Sequence, residues 1–195
     1  MYRAAVIGCG NMGSRHAQAY ARMKGIHLVA AADLFVEKVE ALAAELRFTG
    51  IYKTYEEMFE NEELDFISVC TRNEEHVDPV IRSAEAGVKG IFCEKPIALS
   101  LADADRMIEA CDEAGARLAV DHSMRFEANY RKIKEWVDQG EIGDLASVSV
   151  LYTGDQGSLF HNATHALDAF RFFAGEPDWV LADIDRNLTR ESNQE

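Results

Sequence analysis

The chain predicts a doubly wound α/β domain with a parallel sheet, followed by a second, shorter α+β region. Three observations carry this. Apolar strand-length runs alternate with helix-length amphipathic runs up to residue 121, the order that gives right-handed crossovers and a parallel sheet. The first strand runs straight into Gly8-Cys9-Gly10-Asn11-Met12-Gly13, with glycines at the G-x-G-x-x-G spacing, and then into a helix. Beyond residue 121 the strict alternation stops.

In chain order, residues 3–7 (RAAVI) read as the first strand and 14–23 as the first helix. The run 27–33 (HLVAAAD) is the second strand, closing on Asp33, and 36–46 is a helix of good helix formers. Residues 51–52 make a minimal strand, after which Thr54 and Glu57 have capping-box spacing. The run 64–70 (LDFISVC) is a buried strand, 71–76 a loop, and 77–86 a helix stopped at Gly87. A strand at 90–93 ends in Glu94-Lys95-Pro96. Ser100 caps a helix over 101–114 that ends at Gly115, and 117–121 (RLAVD) is the next strand. The boundary falls near residues 121–127, so that 1–122 form one domain and 123–195 the start of another. In the second region 128–139 reads as an amphipathic helix, 145–153 (LASVSVLYT) alternates as a half-covered strand, 161–173 as helix or loop-plus-helix, 179–184 as a last strand, and 186–195 as a polar tail.

Each feature of the glycine turn has a chemical reason. Gly8 permits the tight turn, Gly10 lets the backbone approach a diphosphate, and Gly13 lets helix and strand pack closely. The first-turn N–H groups, Asn11 and Met12 included, then face the anion. Asp33, twenty positions after Gly13, is placed to accept hydrogen bonds from an adenosine ribose and to repel a 2′-phosphate, so NAD is favoured over NADP. The net charge of −14, from 34 acidic against 20 basic residues, disfavours nucleic acid and anionic membranes as partners. The four cysteines form no C-x-x-C pair and read as buried thiols of a reducing cytoplasm. No run approaches the length of a membrane span, and no leader precedes the first strand.

Two further constellations bear on chemistry. Lys95 stands at a strand end, where a lysine can donate to a substrate oxygen and stabilise a developing alkoxide, and its bond to Pro96 is a candidate for cis. An ordinary surface lysine before a proline is the competing reading. His161, His165 and Asp168 share one face if helical. Three readings fit them: a metal pair, which lacks the Glu of H-E-x-x-H and is the least favoured; a general base taking a hydroxyl proton; or hydrogen-bonded core histidines.

The chain resembles the Gfo/Idh/MocA family of NAD(P)-dependent oxidoreductases. The matching segments are AVIGCGNMGSRHAQAY at the start, Asp33, VCTRNEEH at 69–76, EKP at 94–96, RF at 125–126, GEIGDLASVSV at 140–150 and HNATHALDAFRFFAGEP at 161–177. The resemblance implies a Rossmann domain that binds NAD, and a second domain with a large, open, mostly antiparallel sheet that covers the substrate and forms a subunit interface. By the same resemblance Lys95 is the catalytic lysine, and His165, with His161 near it, takes the proton. Thr71, Asn73 and His76 line the cofactor, Glu94 lies beside the nicotinamide ribose, and Lys95 contacts the cofactor as well as the substrate. The implied activity is hydride transfer between nicotinamide and a hydroxyl carbon of a sugar- or polyol-like molecule, in a cytoplasmic homo-oligomer or with another chain completing the second sheet. The chain departs from the family pattern at His161, where an Asp is common, at Arg72, where a Pro is common, and in its length of 195 residues. Those departures keep two alternatives in view: an NAD-binding module without full catalysis, or half of a heteromer, and a member that cleaves glycosidic bonds through transient oxidation on held NAD.

Overall fold

The computed structural model describes residues 1–151 and 163–183, which fall into two compact units, Met1–Asp121 and His122–Glu195. In the first unit six parallel strands, β1 (Tyr2–Ile7), β2 (Ile26–Ala32), β3 (Gly50–Tyr52), β4 (Phe66–Val69), β5 (Gly90–Cys93) and β6 (Arg117–Val120), line up in the order β3-β2-β1-β4-β5-β6. The order reverses between β1 and β4, and ligands of such sheets gather beyond the strand ends at that reversal. Helices α1 (Asn11–Arg22), α2 (Val36–Leu46), α3 (Tyr55–Asn61), α4 (Val77–Glu85) and α5 (Leu101–Ala114) connect the strands.

The central strands β1, β2 and β4 are buried almost throughout because both faces of the sheet are covered there, whereas edge strand β6 leaves Arg117 and Ala119 exposed. Alternate residues of β1 serve opposite cores. Val6 packs with Ala17 of α1 and Val39 and Leu42 of α2, while Ala5 and Ile7 pack with Met58 of α3, Val80 of α4 and Met107 of α5. Small residues at the sheet centre (Ala4, Ala5, Ala30 and Ala31, all fully buried) let the helices lie close. The expected caps form: Thr54 Oγ1 accepts from the Glu57 N–H at 3.3 Å, and Ser100 Oγ from the Asp103 N–H at 3.1 Å. Gly115 ends α5 in the left-handed conformation.

The first helix starts at Asn11, earlier than the sequence pattern gives, so Asn11 and Met12 belong to its first turn. Residues 71–76 contain a short 3₁₀ turn, Asn73–Glu75. In the second unit α6 (Ala128–Asp138) and α7 (Thr164–Ala174) form as expected, after a 3₁₀ turn at Ser123–Phe126. The two expected strands do not: residues 145–151 and 179–183 have irregular backbone. Alternation fixes how a strand would present its faces, but a strand exists only when another hydrogen-bonds to it. Among the described residues none lies beside these two segments. His161, the remainder of 145–153, residue 184 and the tail 186–195 lie outside the described residues.

No helix of the described residues is long and apolar enough to cross a membrane. All four cysteines are free; Cys9, Cys93 and Cys111 are buried and Cys70 half-buried. Burial raises every one of these thiols above its usual range, to about 12 for Cys9, so they are packing groups rather than nucleophiles.

Candidate dinucleotide site and the loop beyond β5

Gly8 follows β1 at φ +87°, and a Cβ there would lie 2.6 Å from the Cys70 carbonyl oxygen. Gly13 is tighter still, since its Cβ would sit 1.7 Å from the Gly8 carbonyl oxygen. The two residues bring α1, the β1 turn and the loop after β4 into backbone contact. Gly10 differs. It is the N-cap of α1 at φ −73°, and a Cβ on it would meet nothing within 4 Å. The helix has no capping side chain and no acid in its first turn, so its first N–H groups face the space in front of Gly10. Those are the conditions for binding an anion.

That space opens into a cavity of about 740 Å³ bordered by Gly8, Gly10, Asp33, Phe35, Thr71 and Arg72. Asp33 follows β2 and is fixed by two backbone donors: Oδ2 accepts from the Cys9 N–H at 2.7 Å and Oδ1 from the Phe35 N–H at 2.9 Å. Each carboxylate oxygen keeps a further lone pair for a ligand hydroxyl. The half-exposed Phe35 ring carries the Lys38 ammonium 4.5 Å from its centroid, and Lys38, Lys53 and Arg106 also border the cavity. A glycine cradle for the diphosphate, a carboxylate for the ribose and an apolar wall for the base fit an adenine dinucleotide.

The loop beyond β4 carries Thr71, Asn73 and His76. Thr71 borders the cavity, and its hydroxyl donates to the Glu75 carbonyl at 3.2 Å. Asn73 heads the 3₁₀ turn, and neither it nor His76 borders the cavity. His76 is fully buried, with Nδ1 2.9 Å from the Pro96 carbonyl oxygen and Nε2 3.3 Å from that of Thr71. Both partners are carbonyl acceptors, so the ring bridges two loops, with the shorter contact at Nδ1. His76 therefore ties the β4 loop to the loop after β5.

That second loop holds Glu94, half-buried Lys95 and Pro96, with the Lys95–Pro96 bond cis. Glu94 is buried and turned inward. Its Oε2 accepts from the Lys95 N–H at 3.2 Å, and Oε1 lies 3.2 Å from His16 Nε2, off the line of a hydrogen bond. Asp121 Oδ2 lies 3.3 Å from the same nitrogen. Burial alone would discharge His16, but Asp121, Cys70 and Glu94 overcome it and raise the imidazole to about 12. His16 is thus a buried cation between two buried carboxylates. Sequence reasoning missed His16 and Asp121. The available signal was Asp121 closing β6 as Asp33 closes β2, at the sheet edge where functional groups collect.

A group whose folded pKa lies above its unfolded value of about 6.5 contributes fully below that pH and progressively less as pH rises towards the folded value. His16→Gln is expected to be less stable than wild type by a margin that is largest near pH 6 and shrinks towards pH 9. Urea unfolding at several pH values checks it, and a margin that widens with pH would refute the charged assignment.

In the second unit His165 lies on α7 with its ring edge-on to His122, centroids 6.0 Å apart. Asp168, one turn on, is buried and accepts from Arg125 Nε at 2.8 and 2.7 Å, while the guanidinium lies 5.4 Å from the Phe172 ring. Asp168 is therefore engaged by Arg125, an anchor the helical spacing of His161, His165 and Asp168 did not reveal.

The family model described as "Oxidoreductase family, NAD-binding Rossmann fold" (GFO_IDH_MocA) matches residues 2–122. Among curated relatives, myo-inositol 2-dehydrogenase of Thermotoga maritima is 34% identical over 193 residues, covering 93% of this chain and 58% of the relative. The 2,7-anhydro-N-acetylneuraminate hydratase of Mediterraneibacter gnavus is 30% identical over 187 residues, covering 88% and 49%. The crystal structure of myo-inositol 2-dehydrogenase from Lactobacillus plantarum superposes with a TM-score of 0.78 at 27% identity, over 89% of this chain and 56% of that one. The chain spans about half the length of the curated relatives it matches. With the family model matching residues 2–122 and the six parallel strands in the order β3-β2-β1-β4-β5-β6, the chain belongs to the Gfo/Idh/MocA family of oxidoreductases and carries its NAD-binding Rossmann fold.

Proposed function

We propose that the chain serves an NAD-dependent dehydrogenase acting on a hydroxyl carbon of a sugar- or polyol-like molecule. The observation that carries the reading is the open, uncapped start of α1 at Gly10 beside the anchored carboxylate of Asp33. Relatives named as inositol dehydrogenases support the substrate class. NAD⁺ supplies the hydride acceptor. In this reading the Gly8–Gly13 turn holds the diphosphate, Asn11 and Met12 contribute first-turn N–H groups, Asp33 the ribose contact, and Thr71 the wall after β4, with Asn73 heading the 3₁₀ turn behind it. Lys95 donates a hydrogen bond to the substrate oxygen, and His165, with His161, takes the hydroxyl proton as hydride leaves. Residues 123–195 we assign to a substrate and oligomerisation domain. The high exposure of Trp179, Val180 and Leu181 supports a homo-oligomer or a completing chain, and four free thiols support a cytoplasmic setting.

The test is titration of the chain with NADH and NADPH, then nicotinamide absorbance with a panel of polyols that includes myo-inositol. Tight NADH binding with reduction on a polyol is the expected result. Binding without reduction on any member would favour a cofactor-binding module, and no binding would overturn the reading. The relative named as a hydratase favours a second reading, in which oxidation is transient and the cofactor returns to its starting state. Substrate consumption without net change at 340 nm marks that case. For cofactor choice, Asp33→Asn is expected to weaken NADH about tenfold and to narrow the NADH-to-NADPH preference by at least as much, a change of about 1.4 kcal/mol. An unchanged preference would show that selection lies elsewhere.

A further inference from the structure

Glu94 and Asp121 follow β5 and β6, adjacent parallel strands in which Cys93 pairs with Val120. The next residue of each strand is therefore side by side with the other, and the Asp121 N–H donates to the Cys93 carbonyl at 2.8 Å. Two carboxylates are thus buried together, an arrangement that like-charge repulsion opposes. His16 enters from α1 with Nε2 within 3.3 Å of both, its ring stacked on Phe92 at 5.3 Å between centroids. Glu94 Oε1 is fully buried with no aligned hydrogen-bond donor among the described residues, so the attraction of the imidazolium is what holds it. The other oxygen, Oε2, accepts the Lys95 N–H. From the opposite side His76 holds the Pro96 carbonyl. The peptide that presents Lys95 is gripped at both ends by buried histidines. One belongs to the helix that starts at the glycine turn, the other to the loop that follows β4.

We propose that His16 and His76 are positioning residues for Lys95, with His16 acting by charge through Glu94 and His76 by a hydrogen bond to Pro96. This rests on the catalytic role given to Lys95, but the clamp itself does not require that role. The two segments that border the dinucleotide cavity are the ones bolted to the lysine loop, so the lysine's direction is set by the same elements that seat the cofactor. A displacement of the order of 1 Å at a reacting group can cost about a hundredfold in rate.

The Lys95 signal is read in the 195-residue chain with its lysines dimethylated with carbon-13, where Lys95→Arg identifies it, and kcat, KM and the NADH Kd are read in the unlabelled chain. His16→Gln should move that signal towards those of the surface lysines, lower kcat about tenfold to a hundredfold, and leave KM and the NADH Kd within about threefold. His76→Asn, whose side-chain amide can still donate to the Pro96 carbonyl, should have a smaller effect on both readouts. Adding Asp121→Asn to His16→Gln removes one of the repelling charges and should return the Lys95 signal and kcat most of the way to wild type. This double variant also decides the matter if His16→Gln alone does not fold. The clamp is overturned if His16→Gln leaves the Lys95 signal unmoved, if the folded double variant remains as impaired as the single one, or if a divalent metal ion co-purifies in one-to-one amount and is lost with His16→Gln. A moved Lys95 signal together with wild-type turnover in Lys95→Ala would keep the clamp and remove the catalytic role. If the chain shows no turnover, the signal alone decides.

Discussion

Gly13→Ala is expected to destroy the dinucleotide-binding unit, and Gly10→Ala to leave it folded and unable to bind NADH tightly. The two glycines are three residues apart in one turn, but only Gly13 lies inside α1, where a helix would ordinarily gain about 1 kcal/mol on replacement by alanine. The surroundings reverse that gain at Gly13. A methyl there would be 1.7 Å from the Gly8 carbonyl oxygen, inside bonded-contact range, so α1 must move off β1. The cost should exceed about 4 kcal/mol, a large share of the roughly 5–15 kcal/mol that holds a domain of this size together. Gly8→Ala should behave similarly, because its methyl would meet the Cys70 carbonyl at 2.6 Å and its backbone sits at φ +87°. At Gly10 the methyl meets no protein atom and the backbone is in a region any residue adopts. The melting temperature should therefore stay within about 2 °C of wild type. The NADH Kd should rise at least about tenfold, since the methyl occupies the space through which the diphosphate reaches the N–H groups of α1. Circular dichroism melts and NADH fluorescence titrations separate the two effects. Wild-type affinity in Gly10→Ala would mean that the diphosphate does not lie on this turn.

Much of the first unit is legible in the sequence because local rules and the global fold agree there. Strands buried on both faces read as apolar runs, helices end where Gly87 and Gly115 can adopt positive φ, and Thr54 and Ser100 announce the helices they cap. The glycine spacing shows where a phosphate can approach, and Asp33 shows where a ribose can. The loop beyond β5 is less legible. His16, Glu94 and Asp121 come from α1, β5 and β6, and no spacing in the chain relates them. Their meeting depends on the strand order and on the register that sets Cys93 against Val120. His76 and Glu94 illustrate the same limit. Their place in the cofactor-side loops reads as ligand contact, while in the fold both side chains turn inward, His76 to the carbonyls of Thr71 and Pro96 and Glu94 to His16. The irregular segments 145–151 and 179–183 show the converse. A good alternating pattern cannot report whether a neighbouring strand is present to receive its hydrogen bonds.

Lys95→Ala is expected to keep NADH affinity within about threefold of wild type and to lower turnover by about 10²–10³-fold. The first half follows from position. Lys95 is not among the residues bordering the cavity between the glycine turn and Asp33, and that binding surface is made of backbone N–H groups and a carboxylate that the substitution leaves in place. The second half follows from chemistry. Removing a hydride from a hydroxyl carbon leaves an oxygen that must shed its proton, and a preorganised donor at that oxygen acts mainly in the transition state, where such groups commonly contribute about two to three orders of magnitude. Lys95→Arg restores charge but not shape. A planar fork does not reproduce a compact ammonium, so it should recover less than a tenth of the lost rate. Loss of kcat with preserved KM would identify an interaction made as the reaction proceeds, whereas a raised KM at constant kcat would identify simple substrate binding. Unchanged turnover in Lys95→Ala would return this residue to an ordinary lysine before a cis-proline. The hydrogen bond that stabilises the substrate oxygen would then have to come from another residue, with the proton still passing to His165 of α7.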